Sequence, residues 1–287
     1  MFGRNNEDRL GVKKPSVDPP PVISQDNETK SFEFAYSTPT EFVELPTKGR
    51  FYLEGHPLHG KDSVEIRFMT AKDEDILTSK SLLKKGLAVD RMLENIMIDK
   101  SLNPDDLVIG DKNAIVVAAR ISGYGSNYST NVVCPQCETT VKHEFDLGQR
   151  KINHGEDPGV FEVEETPQNT FVITLPKTKA KVETKVLSGH DERVLTNSAK
   201  RNQKNNLPES SLTDLFKLYI ISVNGNKSLQ AINSFIDNMP AIDSRYLRTA
   251  YRQVSPNVDL TQDFTCTECN YEQAMEVPFT SDFFWPR

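Results

Sequence analysis

The chain has 287 residues, which is enough for one large domain or two medium-sized domains. Its 34 basic and 41 acidic residues leave a net charge of −7, which argues against a general nucleic-acid-binding protein, because such a protein needs excess Lys and Arg to face phosphate. No apolar run approaches the roughly 20 residues that span a bilayer, so we expect an intracellular soluble protein or part of a soluble assembly, without membrane contact.

Residues 1–30 differ in composition from the rest of the chain. Prolines at positions 15, 19, 20 and 21 lie among Asn, Asp, Glu and Lys, with few apolar side chains to bury. We predict a disordered or extended arm for residues 1–30, or alternatively an arm that becomes ordered on a neighbouring subunit. A first strand is expected at residues 31–34, where polar and apolar residues alternate.

Residues 31–130 show the pattern of a small α+β domain. A second strand is predicted at residues 63–68. A helix is expected after Thr70, because this side chain can cap it and acidic residues occupy its first turn, where the helix dipole favours them. The apolar stripe of this helix continues to Leu83, and Gly86 ends it.

Two more helices are expected before the first cysteine pair. Apolar residues at helical spacing predict one in which Met92 and Met97 belong to the core. A short element is expected to start at Pro104, and a further helix is predicted at residues 114–122.

Two short cysteine motifs with the same build are the most informative feature. They are Cys134-Pro135-Gln136-Cys137 and Cys266-Thr267-Glu268-Cys269, and they contain all four cysteines of the chain. Each follows a short, partly apolar segment and precedes a strand-like run. This is the pattern of a zinc knuckle, in which a tight turn between two strands carries two thiolates. Two facing knuckles build a zinc ribbon, so one structural Zn²⁺ per chain is predicted, with the ligands Cys134, Cys137, Cys266 and Cys269.

The wide separation of the two motifs implies an insertion. Ordinary ribbons separate their cysteine pairs by roughly 15–20 residues, whereas Cys137 and Cys266 are 129 positions apart. We therefore predict a first knuckle at residues 131–147, an inserted strand-plus-helix domain at 148–259, and the second knuckle with an aromatic tail at 260–287.

Other states of these cysteines are two half-sites completed by other ligands, two disulfides, or free thiols. Disulfides are disfavoured because no secretory signal opens the chain and the cytosol keeps thiols reduced. Neither pair has the helix-start setting of a thioredoxin-like redox motif. Four thiolates leave no open position for water, so the predicted metal is structural.

The inserted region is predicted to contain strands followed by helices. Strands are expected at 160–163, 171–175 and 181–186. A polar helix is expected from Asp191, and a loop at 197–211 includes the basic residues 200–204 as a solvated patch. Further helices are predicted at 212–223, 229–239 and 242–254.

The end of the chain is aromatic, with Phe279, Phe283, Phe284 and Trp285 close together. Chain ends usually fray, so this much aromatic surface should be covered. We expect it to pack against the ribbon. The alternative is a hydrophobic docking peptide for a partner.

Motifs for catalysis are missing from the sequence. It contains no phosphate-binding loop, dinucleotide-binding motif, serine-hydrolase elbow or metalloprotease motif. His56 and His59 lie in a Gly/Pro-rich turn without an acidic or cysteine partner nearby, so we interpret them as surface or hydrogen-bonded residues. We expect a non-enzymatic protein.

Several segments carry a family pattern. They are residues 44–52 (ELPTKGRFY), 69–77 (MTAKDEDIL), 82–86 (LLKKG), 110–115 (GDKNAI), 119–125 (ARISGYG) before the first cysteine pair, and 283–286 (FFWP) after the second. In these segments the chain resembles the T4-type bacteriophage baseplate proteins, which are baseplate hub subunits or hub assembly factors. The resemblance covers residues 41–147 and the C-terminal end, while residues 150–255 match only in their helical character.

The resemblance implies a late, structural or assembly protein of a contractile phage tail baseplate, in its hub region. Its partners would be other baseplate or tail proteins, with a homo-oligomer also possible, and its location the virion tail baseplate or the host cytoplasm during assembly. No catalytic residue comes with the family. The resemblance implies a role only for the four cysteines, as presumed metal ligands.

The predicted fold class is α+β, with a mainly helical body, short antiparallel strands and a split four-cysteine zinc ribbon formed by two distant knuckles. Two other functions stay open. One is a zinc-ribbon adaptor of transcription or replication that binds a polymerase or nucleic acid, which the acidic net charge disfavours. The other is a zinc-stabilised enzyme, which would need a pocket with perturbed titratable groups.

Overall fold

The computed structural model describes residues 38–204, 211–279 and 283–284. The predicted arm at 1–30 and the predicted strand at 31–34 lie outside the described residues. Part of the predicted loop, residues 205–210, and Trp285 of the aromatic tail also lie outside them.

The described residues form eight α-helices and twelve short strands. The helices are α1 (Ala71–Thr78), α2 (Lys80–Lys85), α3 (Ala88–Ile96), α4 (Ile109–Tyr124), α5 (Gly189–Lys204), α6 (Ser211–Tyr219), α7 (Leu229–Asn238) and α8 (Ala241–Val254). The strands are β1 (Thr40–Glu44), β2 (Ser63–Arg67), β3 (Asn127–Val133), β4 (Thr140–Asp146), β5 (Lys151–Asn153), β6 (Val163–Glu165), β7 (Phe171–Thr174), β8 (Lys181–Thr184), β9 (Ile220–Val223), β10 (Asn257–Asp259), β11 (Thr261–Thr265) and β12 (Glu272–Glu276). Of the helices in the described part of the chain, none is both long and apolar enough to span a bilayer.

The strand pairs in the described residues are antiparallel. β1 pairs with β2, β3 with β4, and β11 with β12, while β6 to β9 form one four-stranded sheet in that order. β5 pairs with β10, with Ile152 opposite Val258, so the chain between these strands starts and ends at one place. Helices with short antiparallel strands confirm the predicted α+β class.

Two hydrophobic cores hold this arrangement together. The first combines β1, β2, α1, α3 and α4 with both cysteine hairpins. Its buried residues come from the chain up to Leu147 and again from Val258 onwards. The second packs the four-stranded sheet against α6, α7 and α8, around residues such as Ile173 and Leu247. The predicted core position of Met92 and Met97 is confirmed, because 0% and 1% of their surface is exposed.

The first region differs from prediction in one missed strand and two wrong assignments. β1 was not predicted, because Val43 is its single buried residue and Phe42 is exposed. The helix after Thr70 is broken at Ser79, whose backbone is extended (φ −62, ψ 108), and Leu83 is consequently exposed rather than part of a continuous stripe. Residues 104–106 form a turn and start no regular element.

The helix predicted at 114–122 is longer than expected. It begins at Ile109, and Gly110 lies in its first turn rather than before it. A Cβ at this position would stand 2.0 Å from the carbonyl oxygen of Pro256. The glycine therefore permits close packing of α4 against the chain that leads back to the second hairpin.

The inserted region also differs in part from its prediction. The first strand is Val163–Glu165 rather than 160–163, and the polar helix continues to Lys204 through the predicted loop, so the basic residues 200–204 are helical. The helix predicted at 212–223 ends at Tyr219, because Ile220–Val223 pairs with β8 as a strand. The strand at Phe171–Thr174 and the helices α7 and α8 agree with prediction.

A buried hydrogen-bond network joins two of the segments that carry the family pattern. The Asp111 carboxylate in α4 accepts bonds from the Thr47 N–H (3.0 Å), the Thr47 hydroxyl (2.6 Å) and the Tyr52 hydroxyl (2.7 Å). Burial raises the pKa of Asp111, and these three bonds oppose the rise. The network fixes the loop after β1 against the first turn of α4.

A second network surrounds Asp73 at the start of α1. Its carboxylate accepts two bonds from the Arg67 guanidinium (2.7 and 2.9 Å), one from the Thr70 N–H (2.8 Å) and one from the Asn95 amide (2.6 Å). Burial raises the pKa of Asp73, but the hydrogen bonds outweigh it and lower the pKa to about 2. The predicted cap at Thr70 is thus part of a larger network.

We expect Asp73→Asn to cost about 2 kcal/mol of folding free energy at pH 7. Because the folded-state pKa is depressed, this stability is present above pH ~4 and is lost as the pH falls towards 2. Chemical denaturation across that range checks it, with Asp75→Asn on the exposed side of α1 as the control. An equal loss at pH 2 and pH 7 would contradict the assignment.

Candidate metal centre

The first cysteine pair lies at the tip of the hairpin formed by β3 and β4. The Cys134 N–H donates to the Thr139 carbonyl at 3.0 Å, and the Glu138 N–H donates to the Cys134 carbonyl at 2.9 Å. Glu138 has a left-handed backbone (φ +57), which closes the turn directly after Cys137. The turn therefore holds both thiols at the end of the hairpin.

The second pair repeats this geometry at the tip of β11 and β12. The Cys266 N–H donates to the Tyr271 carbonyl at 2.9 Å, and the Asn270 N–H donates to the Cys266 carbonyl at 3.0 Å. Asn270 has φ +56 and occupies the same place in its turn as Glu138 in the first. The two predicted knuckles are therefore equivalent hairpins.

The structure brings the four thiols together. The Sγ atoms of Cys134 and Cys269 are 3.7 Å apart, and those of Cys137 and Cys266 are 3.8 Å apart. All four Sγ atoms lie within 4.8 Å of one another. A tetrahedral zinc ion with Zn–S bonds of about 2.3 Å has S···S edges of about 3.8 Å, so the cluster is compatible with one zinc ion.

The chemical state of the thiols agrees with a metal site better than with disulfides. All four cysteines are free, and their sulfurs are far beyond the ~2.05 Å of an S–S bond. Hydrogen bonds from Thr139 lower the pKa of Cys137 to about 6. The backbone of Tyr271 lowers the pKa of Cys269, but burial and the three neighbouring thiols raise it overall, to about 12. Four thiolates this close repel one another, and a bound cation would remove that repulsion.

Side chains below the tips fix the two hairpins against each other. The Gln262 amide of β11 donates to the Asp146 carbonyl at 2.8 Å and accepts from the Asp146 N–H at 3.0 Å. The ring of His143 on β4 contacts those of Phe145 and Phe264, with centroid distances of 4.6 and 5.1 Å. The hairpins are therefore held together at the base as well as at the cysteines.

A buried arginine attaches the aromatic tail to the first hairpin. The Arg120 guanidinium in α4 donates to the carbonyls of Gly125 (2.7 Å), Asn127 (3.1 Å) and Phe283. Its side chain has no exposed surface, and burial lowers its pKa. The Phe283 ring packs on Tyr128 of β3 at a centroid distance of 5.3 Å. The tail therefore packs at Phe283 against the first cysteine hairpin, as predicted.

The remaining polar residues do not extend the cysteine site. His56 accepts from the Leu58 N–H at 3.1 Å, and His59 lies 2.7 Å from the Tyr52 carbonyl, so both are hydrogen-bonded as predicted. In the described residues the four cysteines form the one group of His, Cys, Asp or Glu side chains that is suited to hold a metal. The sequence-based prediction missed Arg120 and Gln262, because the Phe283 carbonyl bound by Arg120 and the Asp146 backbone bound by Gln262 are distant in sequence and leave no local pattern.

A family model described as "T4 bacteriophage base plate protein" matches residues 40–285, which is most of the chain. The chain belongs to this family. The match confirms the resemblance seen in the sequence, and it covers both cysteine hairpins and the inserted region of this baseplate protein. No curated protein and no solved structure matches the chain.

We expect Arg120→Met to reduce the stability of this baseplate protein by at least about 2 kcal/mol, because the buried carbonyl of Phe283 and the partly buried carbonyls of Gly125 and Asn127 would lose a charged donor. Chemical denaturation measures the loss. The control is Arg150→Met, since Arg150 is exposed and close to the same hairpin in sequence. A loss below about 1 kcal/mol would show that Arg120 does not hold the tail.

Proposed function

We propose that Cys134, Cys137, Cys266 and Cys269 bind one structural Zn²⁺ per chain. The proposal is supported by the equivalent geometry of the two turns and by the S···S distances of 3.7 and 3.8 Å. With four sulfur ligands no coordination position is left for water, so the ion would stabilise the fold and not act as a Lewis acid.

The ion would connect two parts of the chain that lie far apart in sequence. Residues 148–259 would then form an inserted domain between the two knuckles, at 131–147 and 260–287, while 31–130 supply the N-terminal domain. The pairing of β5 with β10 supports this division, because it closes the inserted segment at its base.

We expect Cys266→Ser to lose the metal and to loosen both hairpins together, since three thiolates hold zinc far less well than four. Zinc content per chain and hydrogen exchange of the two hairpins measure this. Thr267→Ala is the matched control, because Thr267 is exposed within the same turn. Full zinc content and unchanged thermal stability in Cys266→Ser would contradict a shared site.

We further propose that the protein is a non-enzymatic building block of the baseplate hub region that acts through contacts with other tail proteins. The family match supports the baseplate part of this proposal, and the resemblance of the sequence to hub proteins supports its place in the hub. The family segments support it, because Thr47, Asp111 and Arg120 are buried in bonds that shape the fold. Side chains used in this way are not available to a substrate.

The copy number of this chain in purified phage particles tests the structural role. Quantitative mass spectrometry should give a small fixed number of copies per particle that matches a symmetry of the tail. A chain that is abundant in infected cells but absent from the particle would contradict a building block and would indicate an assembly factor.

A further inference from the structure

A cleft of about 510 Å³ opens beside the base of the second cysteine hairpin. Ile109, Leu187 and Leu215 contribute to its apolar wall, and Arg248 and Arg252 of α8 contribute to its polar wall. None of the four cysteines lines it, so it is distinct from the candidate metal centre. The mixed lining is typical of a site that takes a ligand with one polar and one apolar part.

Tyr219 in the lining of this cleft has a hydrogen-bonding group without a partner. The residue has no exposed surface, and its hydroxyl has no hydrogen-bond partner within the described residues. The Tyr219 ring stacks on Tyr251 with a centroid distance of 4.2 Å, which fixes its position. A buried hydroxyl without a partner costs about 1–3 kcal/mol. Because no described protein group accepts from it, this hydroxyl is available to donate to a group that enters the cleft.

The two arginines of the cleft are also without partners. Arg248 and Arg252 are one turn apart on α8, are exposed, and form no ion pair or side-chain hydrogen bond within the described ranges. Two carboxylates, Asp259 and Glu276, belong to the same lining but lie outside pairing distance of them. The two arginines are suited to bind one planar carboxylate of a ligand. A ligand with several acidic residues in a row would be repelled by Asp259 and Glu276.

We propose that this cleft binds a short segment of a neighbouring baseplate protein that presents one carboxylate beside an apolar side chain. The carboxylate would pair with Arg248 and Arg252 and accept a bond from the Tyr219 hydroxyl after a small opening of the cleft. The apolar neighbour would cover Leu187 and Leu215. The nature of the partner rests on the proposed baseplate function, while the chemistry of the cleft does not.

Titration of the purified full-length chain with two acetylated, amidated peptides, Gly-Leu-Glu-Gly and Gly-Leu-Gln-Gly, tests the proposal by NMR. The Glu peptide should shift signals of the cleft residues and bind at least about tenfold more tightly than the Gln peptide. The double variant Arg248→Gln, Arg252→Gln should lose at least about tenfold in affinity. Arg245→Gln is the matched control, because Arg245 is exposed on the same helix but does not line the cleft.

Tyr219→Phe separates binding from folding. The variant should be as stable as the wild type or more stable, because an unpartnered hydroxyl is removed, yet it should bind the Glu peptide more weakly. Equal binding of the two peptides, or an equal loss in Arg245→Gln, would overturn the proposal. Glutarate binding as tightly as the peptide would also overturn it, in favour of a small-anion site. None of these results depends on the copy number in particles, so this proposal and the baseplate role can fail separately.

Discussion

The four-sulfur cluster is the central constraint on the first core, because it brings together the tips of two hairpins whose cysteines are 129 positions apart. Closing a flexible loop of that length costs about 4 kcal/mol of chain entropy. The proposed structural zinc ion would supply an apparent free energy on the order of 10 kcal/mol or more, which would exceed that cost. Two further contacts hold the ends of this loop together at the base of the hairpins. They are the pairing of β5 with β10 and the hydrogen bonds between Gln262 and Asp146. With the proposed ion bound, the more than one hundred residues between the two hairpins would be accommodated without separating the four cysteines.

Five of the six segments that link this chain to its family contribute buried groups, the exception being residues 82–86. Thr47 and Tyr52 bind Asp111, the Asp73 network starts α1, and Arg120 holds Phe283 near the first hairpin. Buried polar groups need such partners, and the resulting networks fix one arrangement of helices and loops. A rigid body of this kind suits a subunit that must present fixed surfaces to its neighbours. Exposed side chains, such as the arginines of α8, are the groups available to contact neighbouring subunits.

The sequence predicted the cysteine hairpins well because their signals are local. Each turn carries its two cysteines, its apolar approach and its following strand within about a dozen residues, so a short window contains the needed information. Ile220–Val223 was wrongly assigned to a helix because a short apolar run does not distinguish helix from strand, and pairing with β8 decides the outcome. The contact of Arg120 with Phe283 and that of Asp111 with Thr47 could not be predicted, since these partners lie 163 and 64 positions away and create no periodic pattern.

The most direct test of the account is X-ray absorption spectroscopy at the zinc edge of the purified full-length protein. We predict one zinc ion per chain with four sulfur neighbours at about 2.3 Å and no nitrogen or oxygen in the first coordination shell. Four sulfurs on a single ion require both hairpins, because each hairpin supplies two cysteines. Two sulfurs with nitrogen or oxygen ligands, or a protein without zinc, would contradict the shared site and with it the proposed closure of the fold.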